Sequence, residues 1–162
     1  MFEQFASDVD EAKNIVRGEH FYNIDRLEWA TNKLHQTMDL ISLGYYPAQI
    51  CFPPIETDLV YKPFMSSEIL EALDDDQINI YRDVYRQLIA PVMKKENPGM
   101  VGISIVQQKQ IIPAFTFSKM IKEEFPDVHI TIGGNIVTRI RDELKTQDKL
   151  FGYIDSAVLY EG

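Results

Sequence analysis

Residues 98–134 read PGMVGISIVQQKQIIPAFTFSKMIKEEFPDVHITIGG and decide the fold class of this chain of 162 residues. The run VGISIV is continuously apolar and rich in β-branched residues, and the polar run QQKQ follows it. This pattern predicts a strand buried on both faces and then a loop. A helical segment comes next, with Pro113 in its first turn and Pro126 at its end. Residues 128–132 are predicted to be a second strand, which the Gly133-Gly134 pair ends.

The same alternation continues towards the C-terminus. Residues 135–144 carry Ile136, Ile140 and Leu144 at helical spacing, and residues 153–159 are predicted to be a third strand. Strands that alternate with helices predict a parallel sheet with right-handed crossovers. We therefore expect residues 98–162 to form a βαβαβ unit of an α/β domain. An open doubly wound sheet normally has more than three strands, so either strands are missing or a partner completes this sheet.

Residues 1–97 are predicted to be a helical region with an extended, proline-rich segment. The strongest helix is expected to begin at Asp25, which forms a capping-box pattern with Glu28, and to end at Gly44. Pro53-Pro54 exclude a regular central strand in the segment that follows.

A later helix of this region is expected to be kinked or divided by Pro91. Its predicted apolar face consists of Ile80, Val84, Leu88 and Val92.

Composition excludes several classes of function. The net charge is −9, whereas a protein that binds a phosphate backbone needs a basic face, so we expect no nucleic-acid partner. Cys51 is the one cysteine, which excludes a disulfide within the chain and a cysteine cluster for a metal. No apolar run reaches the length of a membrane span, and the acidic N-terminus does not resemble a signal peptide. We expect a soluble, cytoplasmic protein that does not bind membranes.

In open α/β sheets, ligands bind outside the carboxyl ends of the strands. Here those ends are residues 104–110, 133–138 and 160–162, which offer hydroxyl and amide side chains and the glycine pair. One interpretation is a pocket for a large ligand with polar edges, with an anion site where Asn135 opens a helix. The other is that Gly133-Gly134 is only a tight turn between strand and helix, since a glycine pair is no dinucleotide-binding fingerprint.

Three stretches, PGMVGISI, QIIPAFTFSKMIKEEFPDVHITIGGN and FGYIDSAVLYEG, occur in a specific order and spacing. Together they resemble the cobalamin-binding domain that precedes many radical S-adenosylmethionine (SAM) enzymes, such as anaerobic Mg-protoporphyrin IX monomethyl ester cyclase-like proteins. The family pattern reads P-x-x-VGIS, a helix with IK, P-x-x-x-I-x-x-GG, and D-x-x-V-x-GEGE. The matching residues are Pro98, residues 101–104, Ile121-Lys122, Pro126, Ile130, Gly133-Gly134, Asp155, Val158 and Glu161-Gly162.

The resemblance implies a flavodoxin-like (Rossmann-like) fold with a corrinoid over the carboxyl edge of the sheet and its nucleotide tail inside the domain. It implies no histidine ligand to cobalt from the protein. It also implies a downstream barrel in a parent enzyme of methyltransferase or cyclase type, where S-adenosylmethionine and an iron–sulfur cluster would bind. The cofactor-binding residues implied by position are Ser104, Gln107, Gln108, Gly133, Gly134, Asn135 and Glu161.

The chain departs from the family in two ways. The family begins with a strand of the pattern VLLI-x-PP, a helix and a second strand, whereas this chain begins with helical, acidic sequence. It also lacks the CxxxCxxC motif that holds the iron–sulfur cluster. We therefore expect a fragment or a shortened relative, with an incomplete cofactor site and no radical chemistry of its own.

One motif is discounted, and two alternatives stay open beside the family hypothesis. Asp127-Val128-His129 resembles the start of a cobalt-binding DxHxxG motif, but Ile132 occupies the glycine position, and we predict His129 to be an ordinary strand residue. One alternative is a non-catalytic interaction module whose sheet is completed by a partner or by a second copy in a homo-oligomer. A flavodoxin-like domain for another nucleotide would retain flavin on purification.

Overall fold

The computed structural model describes residues 2–51 and 56–160. The chain divides into two compact units, Met1–Asp58 and Leu59–Gly162. The segment Pro53-Pro54 and the predicted site residue Glu161 lie outside the described residues. The predicted division into a helical region, 1–97, and a βαβαβ unit, 98–162, stays a prediction.

The first unit is a pair of helices with a short β-hairpin. Helices α1 (Phe2–Arg17) and α2 (Ile24–Gly44) pack through Ala12, Ile15, Ala30 and Leu34, which are all buried. Strands β1 (Gln49–Cys51) and β2 (Glu56–Asp58) pair antiparallel. The Ser42 hydroxyl accepts a hydrogen bond of 2.9 Å from the Ile50 N–H, which ties the hairpin to α2.

Helix α2 ends at Gly44, but its cap differs from the prediction. Asn23 is the N-cap, because its side-chain oxygen accepts from the Arg26 N–H at 3.1 Å. A single 3₁₀ turn over Glu19–Tyr22 leads into Asn23 and leaves it in the extended conformation that an N-cap needs. Asp25 is therefore inside the first turn, and the predicted cap at this residue is wrong.

In the second unit, three helical segments precede the sheet. They are α3 (Ser66–Asp74), α4 (Ile80–Val84) and α5 (Ala90–Glu96), with a π turn, Tyr85–Ile89, between α4 and α5.

Pro91 lies in the first turn of α5, directly after the π turn. The helical backbone continues without a break from residue 80 to residue 96, so the structure has an irregular turn next to Pro91 and no division there. The predicted apolar face is wrong in its second half, because Leu88 and Val92 are exposed while Tyr85 and Met93 are buried. The wider π turn explains the shift, since it carries extra chain and rotates the residues that follow around the helix axis.

The second unit contains the predicted parallel sheet. Its strands β3 (Met100–Ser104), β4 (His129–Gly133) and β5 (Ser156–Ala157) lie side by side in that order. The connections are α6 (Ile111–Glu124) and three short helices, α7 (Asn135–Arg139), α8 (Arg141–Leu144) and α9 (Asp148–Phe151). The mixed α/β class with a parallel three-stranded sheet is thus confirmed. The third strand is shorter than predicted.

One face of the sheet is buried and the other is partly exposed. Ile130 and Ile132 of the central strand are buried, whereas His129, Thr131 and Gly133 on its other face are half-buried. Right-handed crossovers that move in one direction along a sheet place their helices on the same face. No residue of β3 is buried, and Met100 is 61% exposed. The prediction that β3 is buried on both faces is therefore wrong, because β3 is an edge strand.

A buried amide joins the helices of this unit. The Asn79 side chain, 0% exposed, donates to the Ala72 carbonyl oxygen at 2.8 Å and to Thr116 Oγ1 at 2.9 Å. Its oxygen accepts from the Tyr81 N–H at 3.2 Å. Asn79 thus links the end of α3, the start of α4 and the middle of α6.

Candidate functional site

The carboxyl edge of the sheet brings the predicted site residues together. Ser104 and Gly133 are register partners at the ends of β3 and β4. Each strand then runs into the loop that the sequence indicated. The residues gathered at this edge are Ser104, Gln107, Gln108, Gly133, Gly134 and Asn135.

The two glycines have different roles. Gly134 has φ +106°, and a Cβ atom on it would lie 2.5 Å from the Ile105 carbonyl oxygen. Only glycine fits there, because the turn packs directly against the backbone that leaves β3. A Cβ on Gly133 would meet Val158 Cβ at 3.5 Å, which is an ordinary contact. The tight-turn interpretation therefore accounts for Gly134, and Gly133 is left as the glycine that packing does not require.

The anion site predicted at the start of α7 is not supported. Helix α7 has five residues, and the Ile136 N–H donates to the Ile105 carbonyl oxygen at 3.3 Å. One of the amides that an anion would need is thus already used to hold the turn. Asn135 itself is exposed.

The loop after β3 is held by its own glutamines. Gln110 Oε1 accepts from the Val106 N–H at 2.7 Å and from the Gln107 N–H at 3.0 Å. The Gln107 side chain accepts in return from the Gln110 N–H and completes a capping box. The amides of Gln107 and Gln110 therefore shape the loop, and Gln108 is the one that lines a pocket.

A pocket of about 450 Å³ lies beside this edge, within the second unit. That volume is in the range of small-molecule sites. Its polar groups are Ser66, Gln108, Arg139, Glu143 and Gln147. Its apolar lining consists of Pro63, Phe64, Ile69, Ile111, Phe115, Ile136, Ile140, Leu144 and Leu150.

Sequence reasoning predicted Gln108 alone among these residues. The helical spacing of Ile136, Ile140 and Leu144 predicted an apolar helix face. It did not predict which residues pack opposite that face to form the pocket. Arg139 and Glu143 contribute charged side chains of opposite sign to the lining of the pocket.

Residues that carry the family resemblance also hold the sheet together. The Asp155 carboxylate accepts from the Ile130 N–H at 2.6 Å and from Lys122 Nζ at 2.7 Å. Lys122 Nζ also donates to the Val128 carbonyl oxygen at 2.8 Å. This clamp joins α6, β4 and the approach to β5. The Lys122 ammonium, together with the Ile130 N–H, lowers the pKa of the Asp155 carboxyl below its ordinary value.

We expect Asp155→Asn to destabilise the protein by about 1 kcal/mol at pH 7, because the ion pair is lost and its partly exposed position weakens it. The pKa of Asp155 is lower in the folded protein than in the unfolded chain, where it is about 4, so the ionised carboxylate stabilises the folded protein above that pH. This stabilisation is lost as the pH falls through the folded-state pKa. The difference between wild type and variant should therefore shrink in acid. Urea unfolding at pH 7 and pH 3 measures it, and Asp127→Asn is the control. An equal difference at both pH values would contradict the clamp.

The opposite end of β4 carries His129. Its Nε2 lies 2.8 Å from the Ser156 hydroxyl, and it is the first residue of the strand, away from the carboxyl edge. The prediction that His129 is a strand residue is confirmed. Two residues further on the same face of β4, Thr131 Oγ1 is buried and has no hydrogen-bond partner in the described part of the chain.

Across residues 2–51 and 56–160, no group of three or more His, Cys, Asp or Glu side chains is placed to hold a metal ion. None of the helices in these ranges has the length and apolar character needed to cross a membrane.

Comparisons with protein-family models, with curated proteins and with solved structures find no match to this chain.

Proposed function

We propose that the second unit is the cobalamin-binding region of a radical SAM enzyme of methyltransferase or cyclase type, with a flavodoxin-like arrangement of its sheet. The observation that carries the proposal is the carboxyl edge, where Ser104, Gln108 and Gly133 lie next to a pocket of about 450 Å³. Ligands of open α/β sheets bind at this position. Cobalamin is the ligand that the family resemblance of these motifs implies.

The residues at the edge suit the chemistry of a corrinoid. A corrin ring carries amide groups around its rim, and neutral hydroxyl and amide side chains such as Ser104, Gln108 and Asn135 can donate to them and accept from them. Gly133 adds no side chain of its own to this edge. The pocket beside Gln108, which has apolar and polar lining residues, would take the nucleotide tail.

In this proposal the chain binds and orients the cofactor. The corrinoid supplies methyl transfer or assists radical chemistry when bound, in company with a barrel that carries S-adenosylmethionine and an iron–sulfur cluster. Ser104 and Asn135 would hold the ring by hydrogen bonds, and the lining of the pocket would exclude water from the tail.

Incubation with hydroxocobalamin followed by desalting tests the proposal. We expect the corrinoid to co-elute with the wild-type protein, and Ser104→Trp to lose it, because the indole would occupy the carboxyl edge. Met100→Trp is the matched control, since Met100 is an exposed residue on the same face of the same strand but at its amino end. This variant should retain the cofactor.

A wild-type protein that elutes without corrinoid would contradict cobalamin binding by this chain. Equal loss in both tryptophan variants would contradict the placement of the ring. A yellow preparation that releases flavin would instead support a flavodoxin-like domain for another nucleotide.

A further inference from the structure

Strand β3 has one paired edge and one open edge. The Gly99 carbonyl oxygen accepts from the His129 N–H at 3.0 Å, and the Ile105 N–H donates to the Gly133 carbonyl oxygen at 2.7 Å. The N–H and C=O groups of successive residues in a strand point to opposite edges. Since the odd-numbered residues bond to β4, the even-numbered residues between them turn their N–H and C=O groups away from β4. Met100, Gly102 and Ser104 thus present them at the open edge, where no strand of the described ranges pairs with β3.

This edge lacks the usual protection against pairing. Native edge strands are blunted by charged side chains, proline or a bulge. Residues 99–108 contain no charged residue and no proline. Met100, Gly102 and Ser104 are all exposed, and so is Val106 just beyond the strand. A regular, uncharged edge of this kind is a template for another strand.

We propose that the open edge of β3 pairs with β3 of a second copy of this chain, antiparallel, about a two-fold axis at Gly102. In this register Met100 faces Ser104 of the second copy, Gly102 faces Gly102, and Ser104 faces Met100. All three residues turn their backbone groups outward, so each facing pair exchanges two hydrogen bonds. The two three-stranded sheets then form one continuous sheet, with the self-complementary contact that a two-fold dimer requires.

Symmetry favours a second copy over an unrelated peptide. Strand addition of a foreign peptide gains its specificity from pockets for alternate side chains, whereas the centre of this edge is a glycine that offers none. Two copies with a net charge of −9 repel each other, and the uncharged run 99–108 is a place where they can meet with little cost. Gly102 also removes any side chain from the axis. The pairing uses backbone groups at the lateral edge of the sheet, whereas the cofactor proposed above would contact side chains at the carboxyl ends. Ser104 takes part in both, and Gly102 only in the pairing.

Sedimentation equilibrium of the whole chain over a wide concentration range tests the proposal. We expect a reversible dimer for the wild type. Gly102→Lys and Gly102→Glu should each weaken dimerisation at least about tenfold, because like charges would face each other across the axis. A Cβ at Gly102 meets only Thr131 Cγ2, at 3.7 Å, so the monomer has room for either side chain. Circular dichroism confirms that each variant is folded.

Two further samples locate the interface. Mixing the Lys and Glu variants should restore the dimer as a heterodimer, since opposite charges then face each other at the axis. Gly44→Lys, where a Cβ meets nothing within 4 Å, should dimerise like the wild type. A wild type that stays monomeric at every concentration would overturn the proposal, and so would dimers of Gly102→Lys as tight as those of the wild type.

Discussion

Gly134→Ala should destabilise the second unit by about 2–4 kcal/mol, one of the two largest effects that we expect from a single substitution in this protein. Two costs add together. The residue has φ +106°, which an L side chain adopts only with strain, and its Cβ would lie 2.5 Å from the Ile105 carbonyl oxygen. The clash is with backbone at the end of β3, so a side-chain rotation cannot relieve it.

Gly133→Ala is the matched control, because it makes the same chemical change one residue earlier. Its Cβ would reach Val158 Cβ at 3.5 Å, and its φ is not in the left-handed region. We expect a change within about 1 kcal/mol. Chemical unfolding of the two variants measures the difference, and similar losses in both would mean that the turn does not depend on close backbone approach.

Asn79→Ala should cost about 2–4 kcal/mol, because it removes a fully buried amide and leaves its partners without hydrogen bonds. Ala72 O and Thr116 Oγ1 each lose a donor, and the Tyr81 N–H loses an acceptor at the start of α4. Urea unfolding gives the free energy, with Asn135→Ala as the control because Asn135 is exposed.

The contribution of one contact in this network follows from a double-mutant cycle. Thr116→Val removes the hydroxyl that Asn79 contacts, so the two substitutions together should cost less than the sum of their separate effects. Strictly additive losses would show that the two side chains do not act as a unit.

The features that the sequence could predict depend on short-range periodicity. Residues 128–132 were predicted to be a strand, and β4 spans His129–Gly133. The parallel order follows from the alternation of strands and helices together with the handedness of crossovers. The position of Ser104 opposite Gly133 follows from the same rule, because strand ends of a parallel sheet meet at one edge.

The features that the sequence did not reveal depend on what lies next to each element. An apolar run such as VGISIV has the same composition in a central strand as in an edge strand, so the exposure of β3 was not predictable. Asn79 looks like any surface asparagine until α3 and α6 enclose it. The π turn at Tyr85–Ile89 leaves no simple mark in the sequence, yet it moved Leu88 to the surface.

The sequence predicted that the candidate site lies at the carboxyl edge of the sheet, but it did not predict the pocket beside that edge. The strand ends identified Ser104, Gln108 and Gly133, whereas the pocket is formed by helices that meet only in three dimensions. Gln107 shows that position at the edge does not by itself make a residue part of the site. Its side chain lies at the carboxyl edge as predicted, but it is used to cap the 3₁₀ turn that follows it.

The order of the strands in the sheet has a consequence for the way the protein is made. Each strand pairs with the next in the chain: Met100 is opposite His129, a separation of 29 residues (129 − 100), and Thr131 is opposite Ser156, a separation of 25 (156 − 131). Both pairings of this sheet thus close loops of similar, moderate length, and neither needs a segment that is distant in the sequence. The sheet can grow one strand at a time in the order in which a ribosome releases them.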